Sequence, residues 1–477
     1  MNAGNANRAF GKEVLVTTLL IKHGTIVTAA DQYKGDLFIV DEQIRTIGKD
    51  LTVTADRTLD AAGCYVIPGG IDPHVHMQIP FMGTHSSDTF ETGTLAALHG
   101  GTTTIIDFAL QTQGDTLHNA FNQWYEWAEG HAVGDYAFHV AVTDLNPKTK
   151  PEVAELIAKR GVTSFKTFMA YKGALMIDDR QMVELMRELK THGALLTVHC
   201  EHGDLVDNLI AANRAAGNAA PRYHCLSRPA IAEGEATGRV IDLGHAVGQD
   251  VYIVHLTCEE ALGRARRAGS RNQKVHVETC IQYLTLDESR YFQEGFEGAK
   301  YVMSPPLRKP KDQEALWAGL RQGLVHVVGT DHCPFTMEQK RMGERDFSKI
   351  PNGHPAVEHR LELLYSEGVA KDRISLNRFV EVTSTAPARL FGLWPRKGCI
   401  APGSDADLVI FDPKQEHTLS AKTHHMNVDY SAYEGWKVTG KCRTTVLRGK
   451  VVVDDGTATV EKGYGTYLSR NRYRPVI

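Results

Sequence analysis

The sequence predicts an α/β chain: a (β/α)8 barrel of the TIM type, with a second, small β-sandwich domain built from both chain ends. Three observations predict it. Eight apolar, β-rich runs alternate with helix-like stretches through the long middle of the chain. Short β-rich segments split by Gly and Asp occupy both ends. Histidines and a carboxylate fall where several of the eight runs stop, and barrels of this type carry their chemistry at the C-terminal ends of their strands.

The elements follow in chain order. Residues 1–18 form a polar lead-in, expected to be disordered. The first part of the sandwich, 19–67, contains IKHGTIVTA, DLFIVDEQIRTIG and RTLDAAGCYVI. The barrel is expected over 68–396. Its strands are Cys64–Ile67 continuing to His76, Thr102–Ala109, Tyr136–Val142, Thr163–Ala170, Leu195–Glu201, Val251–Thr257, Val275–Cys280 and Val325–Asp331. Between them, PEVAELIAKRG, DRQMVELMRELKTHG and EALWAGLRQGL place apolar residues at helical spacing, commonly closed by glycine. The second part of the sandwich, 397–460, holds GCIAPGSDADLVIFD and CRTTVLRGKVVVDDG. Both end regions read as antiparallel strands with tight turns. The tail, 461–477, is a candidate arm onto a neighbouring subunit.

Composition narrows the function classes. A chain of 477 residues suits a large barrel plus a satellite. Its 42% hydrophobic and 23% charged residues are ordinary for a globular protein. A formal net charge of −4 gives no reason to expect nucleic acid or an anionic membrane. The eight cysteines are scattered without a CxxC, which predicts reduced thiols in a cytoplasm. The first twenty residues show no long apolar core and no small-residue cleavage pattern, so no signal peptide is expected, and with no apolar run anywhere long enough to span a bilayer, no membrane span is expected either.

The stretch GGIDPHVHMQIP places His74 and His76 two apart at the end of a strand, where a period of two puts both imidazoles on one face. Among 22 histidines this pair alone is a weak signal. It strengthens because strand four carries Lys166, strand five ends in His199, strand six in His255 and strand eight in Asp331. Four imidazoles and a carboxylate on one rim suit zinc or a similar divalent ion. Lys166 is the odd member, since an ammonium has no lone pair. Burial and nearby cations would depress its pKa.

The ordered set GGIDPHVH, TSFKTFMAYKG, TVHCE, YIVHLTCEE, MSPPLR, GTDHCPF and IPNG resembles the cyclic amidohydrolases, and within them the dihydropyrimidinase/hydantoinase group, over nearly the whole chain. The resemblance implies a binuclear centre, usually of zinc. His74, His76 and Asp331 would hold one ion, His199 and His255 the other. Lys166, as N6-carboxylysine, would bridge them together with a hydroxide. Asp331 would also shuttle the proton, and Tyr171 would donate to the developing oxyanion. Ser304 and Asn352 would hold the imide edge of the ring through their backbones. The loops after strands one and four would line the substituent pocket with Met77, Ile79, Phe81, Phe168 and Leu175. The implied reaction is ring opening of a dihydropyrimidine or hydantoin to an N-carbamoyl amino acid, as in pyrimidine breakdown, by a homotetramer.

Neighbouring residues read more plainly. His139 and His276 lie inside strands and are expected to be structural. His332 should point away from Asp331 by alternation. Glu201, His202 and Cys258 flank ligand positions and are candidates to support them. Cys333 lies near the rim without a needed role. RARRAGSRNQK is expected to be a solvated helix end and loop. Dihydroorotases typically carry an arginine two residues after the second histidine; here it is Gln78. Allantoinases typically follow with an acidic segment; here it is MQIPFMG. A non-catalytic scaffold relative would lose ligands, and every ligand position here is filled.

Overall fold

Eight parallel strands pair in chain order: Gly70–Val75, Thr102–Leu110, Asp135–Ala141, Ser164–Phe168, Leu195–His199, Val251–Ile253, Val275–Cys280 and Val327–Gly329. This arrangement comes from a computed structural model that describes residues 17–269, 271 and 273–474. Most of the lead-in therefore lies outside the described residues, and Thr18 already opens a strand. The barrel strands are buried almost without interruption, as expected where helices cover a parallel sheet.

The helices between them form where the sequence supplies caps and one apolar face. Asp179–His192 begins on Asp178, whose carboxylate accepts from the Gln181 N–H at 2.8 Å. It ends on Gly193 at φ 68°, a left-handed stop that glycine adopts without a Cβ penalty. Met182, Leu185, Met186 and Leu189 face inward from it. Each such side chain contributes roughly 1.5–3 kcal/mol on burial.

The first and last strands meet at a seam made chiefly of side chains. Val75 bridges to His332, and the His76 N–H donates to the His332 carbonyl at 2.8 Å. Thr330 Oγ1 donates to Asp72 at 2.6 Å. Arg360, fully buried, donates through Nη1 to the carbonyls of Ile71 and Val328, each at 2.9 Å. One guanidinium thus ties strand one to strand eight.

The run read as a single strand from Cys64 to His76 is two strands. Tyr65–Pro68 belongs to the outer sheet and Gly70–Val75 to the barrel. Between them the Gly69 N–H donates to the Asp407 carbonyl at 2.8 Å, and a Cβ at Gly69 would fall 2.3 Å from Thr103 Oγ1. Glycine lets the chain change sheets there.

The chain ends form one nine-stranded sheet. Its two halves join where Leu408–Thr418 pairs antiparallel with Tyr65–Pro68. The sheet is not wholly antiparallel: Thr18–Val27 runs parallel to both Arg57–Asp60 and Tyr65–Pro68. Apolar residues from opposite ends of the strand order, Ile44 and Val451 among them, share one core with Ile21, Val66, Leu408 and Val446. Buried Lys397 anchors this sheet to the barrel, bonding Asp135 and Asp407 at 2.6 Å each.

The described part of the tail, the candidate arm, lies along its own barrel. The Leu468 N–H donates to the Tyr136 carbonyl at 2.7 Å, and the Tyr473 N–H to that of Gly193 at 2.8 Å. Buried Leu468 and Arg470 give the segment a footing there. Among the described residues no helix is long and apolar enough to cross a membrane. All eight cysteines are buried free thiols.

Arg360 Nε also lies 3.9 Å from Asp72 Oδ2, so Arg360→Met should leave Asp72 buried without its cation and open the seam. We expect a loss of about 3–5 kcal/mol of stability, the usual cost of stranding a buried charge, measured by denaturant unfolding.

Candidate active site

A pocket of ≈ 560 Å³ opens at the C-terminal rim of the barrel. His74, His76, Lys166, His199, His255 and Asp331 line its floor, and five different strands deliver them. The fold therefore brings together every polar residue that the sequence placed on the rim. Two of them occupy left-handed backbone, His255 at φ 38° and Asp331 at φ 52°, as does Tyr171 above them at φ 65°. Non-glycine residues enter this region rarely, and such strain concentrates at functional sites.

The distances describe two groups. Asp331 Oδ1 lies 3.1 Å from His74 Nε2 and 3.0 Å from His76 Nε2. The donor atoms of these three residues all fall within 4.8 Å of one another. In the second group, His199 Nδ1 faces His255 Nε2 at 3.0 Å. Two nitrogens sharing a tetrahedral zinc would stand about 3.3 Å apart.

The surroundings orient each ring. Glu278 accepts from His74 Nδ1 at 2.6 Å, from the His255 N–H at 3.0 Å and from Tyr252 Oη at 2.8 Å. Glu201 bonds His199 Nε2 at 2.9 Å and pairs with Arg228, whose guanidinium lies 5.5 Å from the Tyr171 ring. A carboxylate on one imidazole nitrogen fixes the tautomer and frees the other nitrogen for an ion.

Electrostatics support the same use. Burial holds His76 down at about 4, and His199 and His255 also below the ordinary imidazole range. Their lone pairs stay available. His74 goes the other way, to about 9: burial opposes the charge, but Glu278 and Asp331 together outweigh it. Asp331 is held well below the usual carboxylate range despite burial, because His74 and His76 flank it. Burial lowers Lys166 to about 8, against the pull of Asp331 and Glu278. His76 Nδ1 and His255 Nδ1 are buried without a hydrogen-bond partner. Converging imidazoles, a carboxylate and unpaired nitrogens fit a divalent cation.

Above the floor, Tyr171, Ser304 and Asn352 share the pocket, with Asn352 Nδ2 donating to Ser304 Oγ at 2.9 Å. Burial raises the Tyr171 phenol, which keeps its proton for donation. Ile79, Phe81, Phe168 and Leu175 form an apolar wall. Met77 does not join them. It is buried against the helix Phe90–His99, where a Cβ on Gly93 would meet its sulfur at 2.2 Å. Strand one ends before it, so alternation no longer governs its direction, and Gln78 turns the chain at φ 55°.

The residues read as structural have structural partners. His139 bonds Ser164 Oγ and the Pro73 carbonyl, and His276 bonds Tyr473 Oη. His332 bonds Asp88 at 2.9 Å. His202 caps a helix, and Cys258 donates weakly to the Ala230 carbonyl. Sequence reasoning missed Glu278, Arg228 and Leu110. Glu278 had a signal: a carboxylate inside an apolar strand seldom lacks a partner.

A model described as the amidohydrolase family matches residues 65–452. A D-hydantoinase of Geobacillus stearothermophilus is 48% identical over 457 residues, covering 96% of this chain and 97% of that one. A D-hydantoinase of Streptomyces coelicolor is 46% identical over 457 residues, covering 94% and 97%. The crystal structure of a dihydropyrimidinase from Brevibacillus agri superposes with a TM-score of 0.95 at 48% identity, covering 96% of this chain and 100% of that one.

Proposed function

The chain belongs to the amidohydrolase family, and from that premise we propose that it opens 5,6-dihydropyrimidine and 5-substituted hydantoin rings, releasing N-carbamoyl amino acids. It is a hydrolase of cyclic amides. The convergence of His74, His76, Lys166, His199, His255 and Asp331 beneath an apolar-walled pocket carries this reading. His74, His76, Asp331, His199, His255 and a carboxylated Lys166 would hold two divalent ions, most simply zinc. Bound there, the ions would lower the pKa of water and so provide a nucleophile at neutral pH.

The chain's own residues do the rest. The backbones of Ser304 and Asn352 hold the imide edge and set the C4 carbonyl over the floor. Tyr171 Oη donates to that carbonyl oxygen as it gains charge. Asp331 takes the proton shed by the attacking water and passes it to N3 as the N3–C4 bond breaks. Ile79, Phe81, Phe168 and Leu175 receive hydrogen or an apolar group on the ring carbon. A homotetramer is the expected assembly, read by light scattering.

The test is one ring-opening assay on metal-loaded protein with dihydrouracil, hydantoin, a 5-aryl hydantoin, allantoin and dihydroorotate. We expect turnover of the first three; preference for either of the last two would overturn the substrate class. Tyr171→Phe should fold and keep its metal but turn over more slowly by about two to three powers of ten, and unchanged turnover would remove Tyr171 from the mechanism. Lys166→Ala should lose most of the metal by elemental analysis. In the wild type, only the neutral amine reacts with carbon dioxide, and its fraction rises as pH climbs through about 8. Metal uptake by apoprotein at fixed dissolved carbon dioxide should rise over the same interval; a flat profile would count against the carbamate.

A further inference from the structure

Lys340 is fully buried, yet no carboxylate pairs with it among the described residues. Its ammonium donates instead to three backbone carbonyls: Val302 at 2.9 Å, Pro351 at 2.7 Å and Gly353 at 2.9 Å. An ammonium has three donors and no acceptor, so this tripod satisfies it completely. A buried cation is costly unless it is satisfied in this way.

The three carbonyls lie at telling positions. Val302 stands two residues before Ser304, and Pro351 and Gly353 flank Asn352. The two segments touch directly as well, through the Gly353 N–H and the Val302 carbonyl at 2.9 Å. The intervening Met303 carbonyl is held by His224 Nε2 at 2.8 Å. At Gly353 the chain passes so close to residue 333 that a Cβ would fall 2.0 Å from the Cys333 carbonyl oxygen. Neither segment has regular secondary structure to hold it, so the tripod replaces a sheet's hydrogen bonds.

The short helix Met337–Lys340 also reaches the opposite wall. Its Gln339 Nε2 donates to Thr84 Oγ1 at 2.7 Å and to the His85 carbonyl at 2.8 Å. Those residues form one arm of the hairpin whose other arm carries Phe81.

We propose that Lys340 is a positioning residue for substrate: its side chain clamps segments 302–304 and 351–353 together, setting the spacing at which Ser304 and Asn352 grip the planar edge of the ring. This rests on the reading of those two residues as the ring-binding pair. Lys340 touches neither the ring nor the rim imidazoles. Its removal should therefore weaken ring binding and leave the metal floor intact.

The experiment compares the metal-loaded wild type with Lys340→Met and Lys340→Arg, measuring KM, kcat and metal content with dihydrouracil, hydantoin and 5-phenylhydantoin. In Lys340→Met we expect KM to rise about tenfold, by the same factor for all three rings, with a smaller change in kcat and the wild-type metal content retained. Arginine keeps the charge but presents a planar fork that cannot aim three donors from one atom, so Lys340→Arg should also raise KM; it carries the test should the methionine variant fail to fold. Unchanged KM in a folded variant overturns the proposal. So does loss of metal in step with activity, which would make Lys340 a general support. A wild type that opens none of these rings sinks the reading of the site, and the proposal with it.

Discussion

Barrel closure is the constraint on which the rest depends. Asp331 lies beside His74 and His76 only because strand eight returns to strand one. The seam is not a regular ladder. It is made by Arg360 across Ile71 and Val328, by Thr330 on Asp72, and by the bridge between Val75 and His332. Side-chain bonds there leave the backbone free to bend, and Asp331 uses that freedom to enter left-handed space and aim its carboxylate into the pocket.

Burying so many ionisable groups on one rim would be ruinous without compensation. The fold compensates by pairing. Glu278, on strand seven, serves strands one and six at once, through His74 on the one and Tyr252 and the His255 backbone on the other. Glu201 and Arg228 do the same for His199 and reach up to Tyr171. Burial keeps His76, His199 and His255 in the neutral form that a cation needs, while His74, between Glu278 and Asp331, is drawn toward the charged form. The same environment that makes the floor receptive to metal lowers Lys166 toward the neutral form.

The pocket above this floor has two kinds of wall. The apolar side, Ile79, Phe81, Phe168 and Leu175, offers volume without direction, which suits a variable substituent. The side built on Ser304 and Asn352 is polar, joined by the Asn352 Nδ2–Ser304 Oγ bond, and lies on loops without regular secondary structure. Lys340 and Gln339, on one short helix, reach both walls.

Much of this was legible in the residues alone. Apolar runs alternating with capped helices sufficed for a parallel barrel, because strands buried on both faces must be apolar throughout. Period-two alternation and strand ends sufficed to place His74, His76, His199, His255 and Asp331 on one rim. Tertiary structure decided what alternation cannot reach. Met77 lies two residues past a strand end, beside a left-handed turn at Gln78, and enters the core instead of the pocket. The run from Cys64 to His76 splits between two sheets at Gly69, because that glycine alone can pass Thr103. The tail folds onto its own barrel because distant carbonyls at Tyr136 and Gly193 accept from it. Glu278 meets His74 across 204 residues, a pairing that exists only once the barrel has closed, and Lys340 gathers carbonyls 11 to 38 residues away that no local pattern brings together. Local pattern determines which face a side chain takes; only long-range packing determines what it meets there.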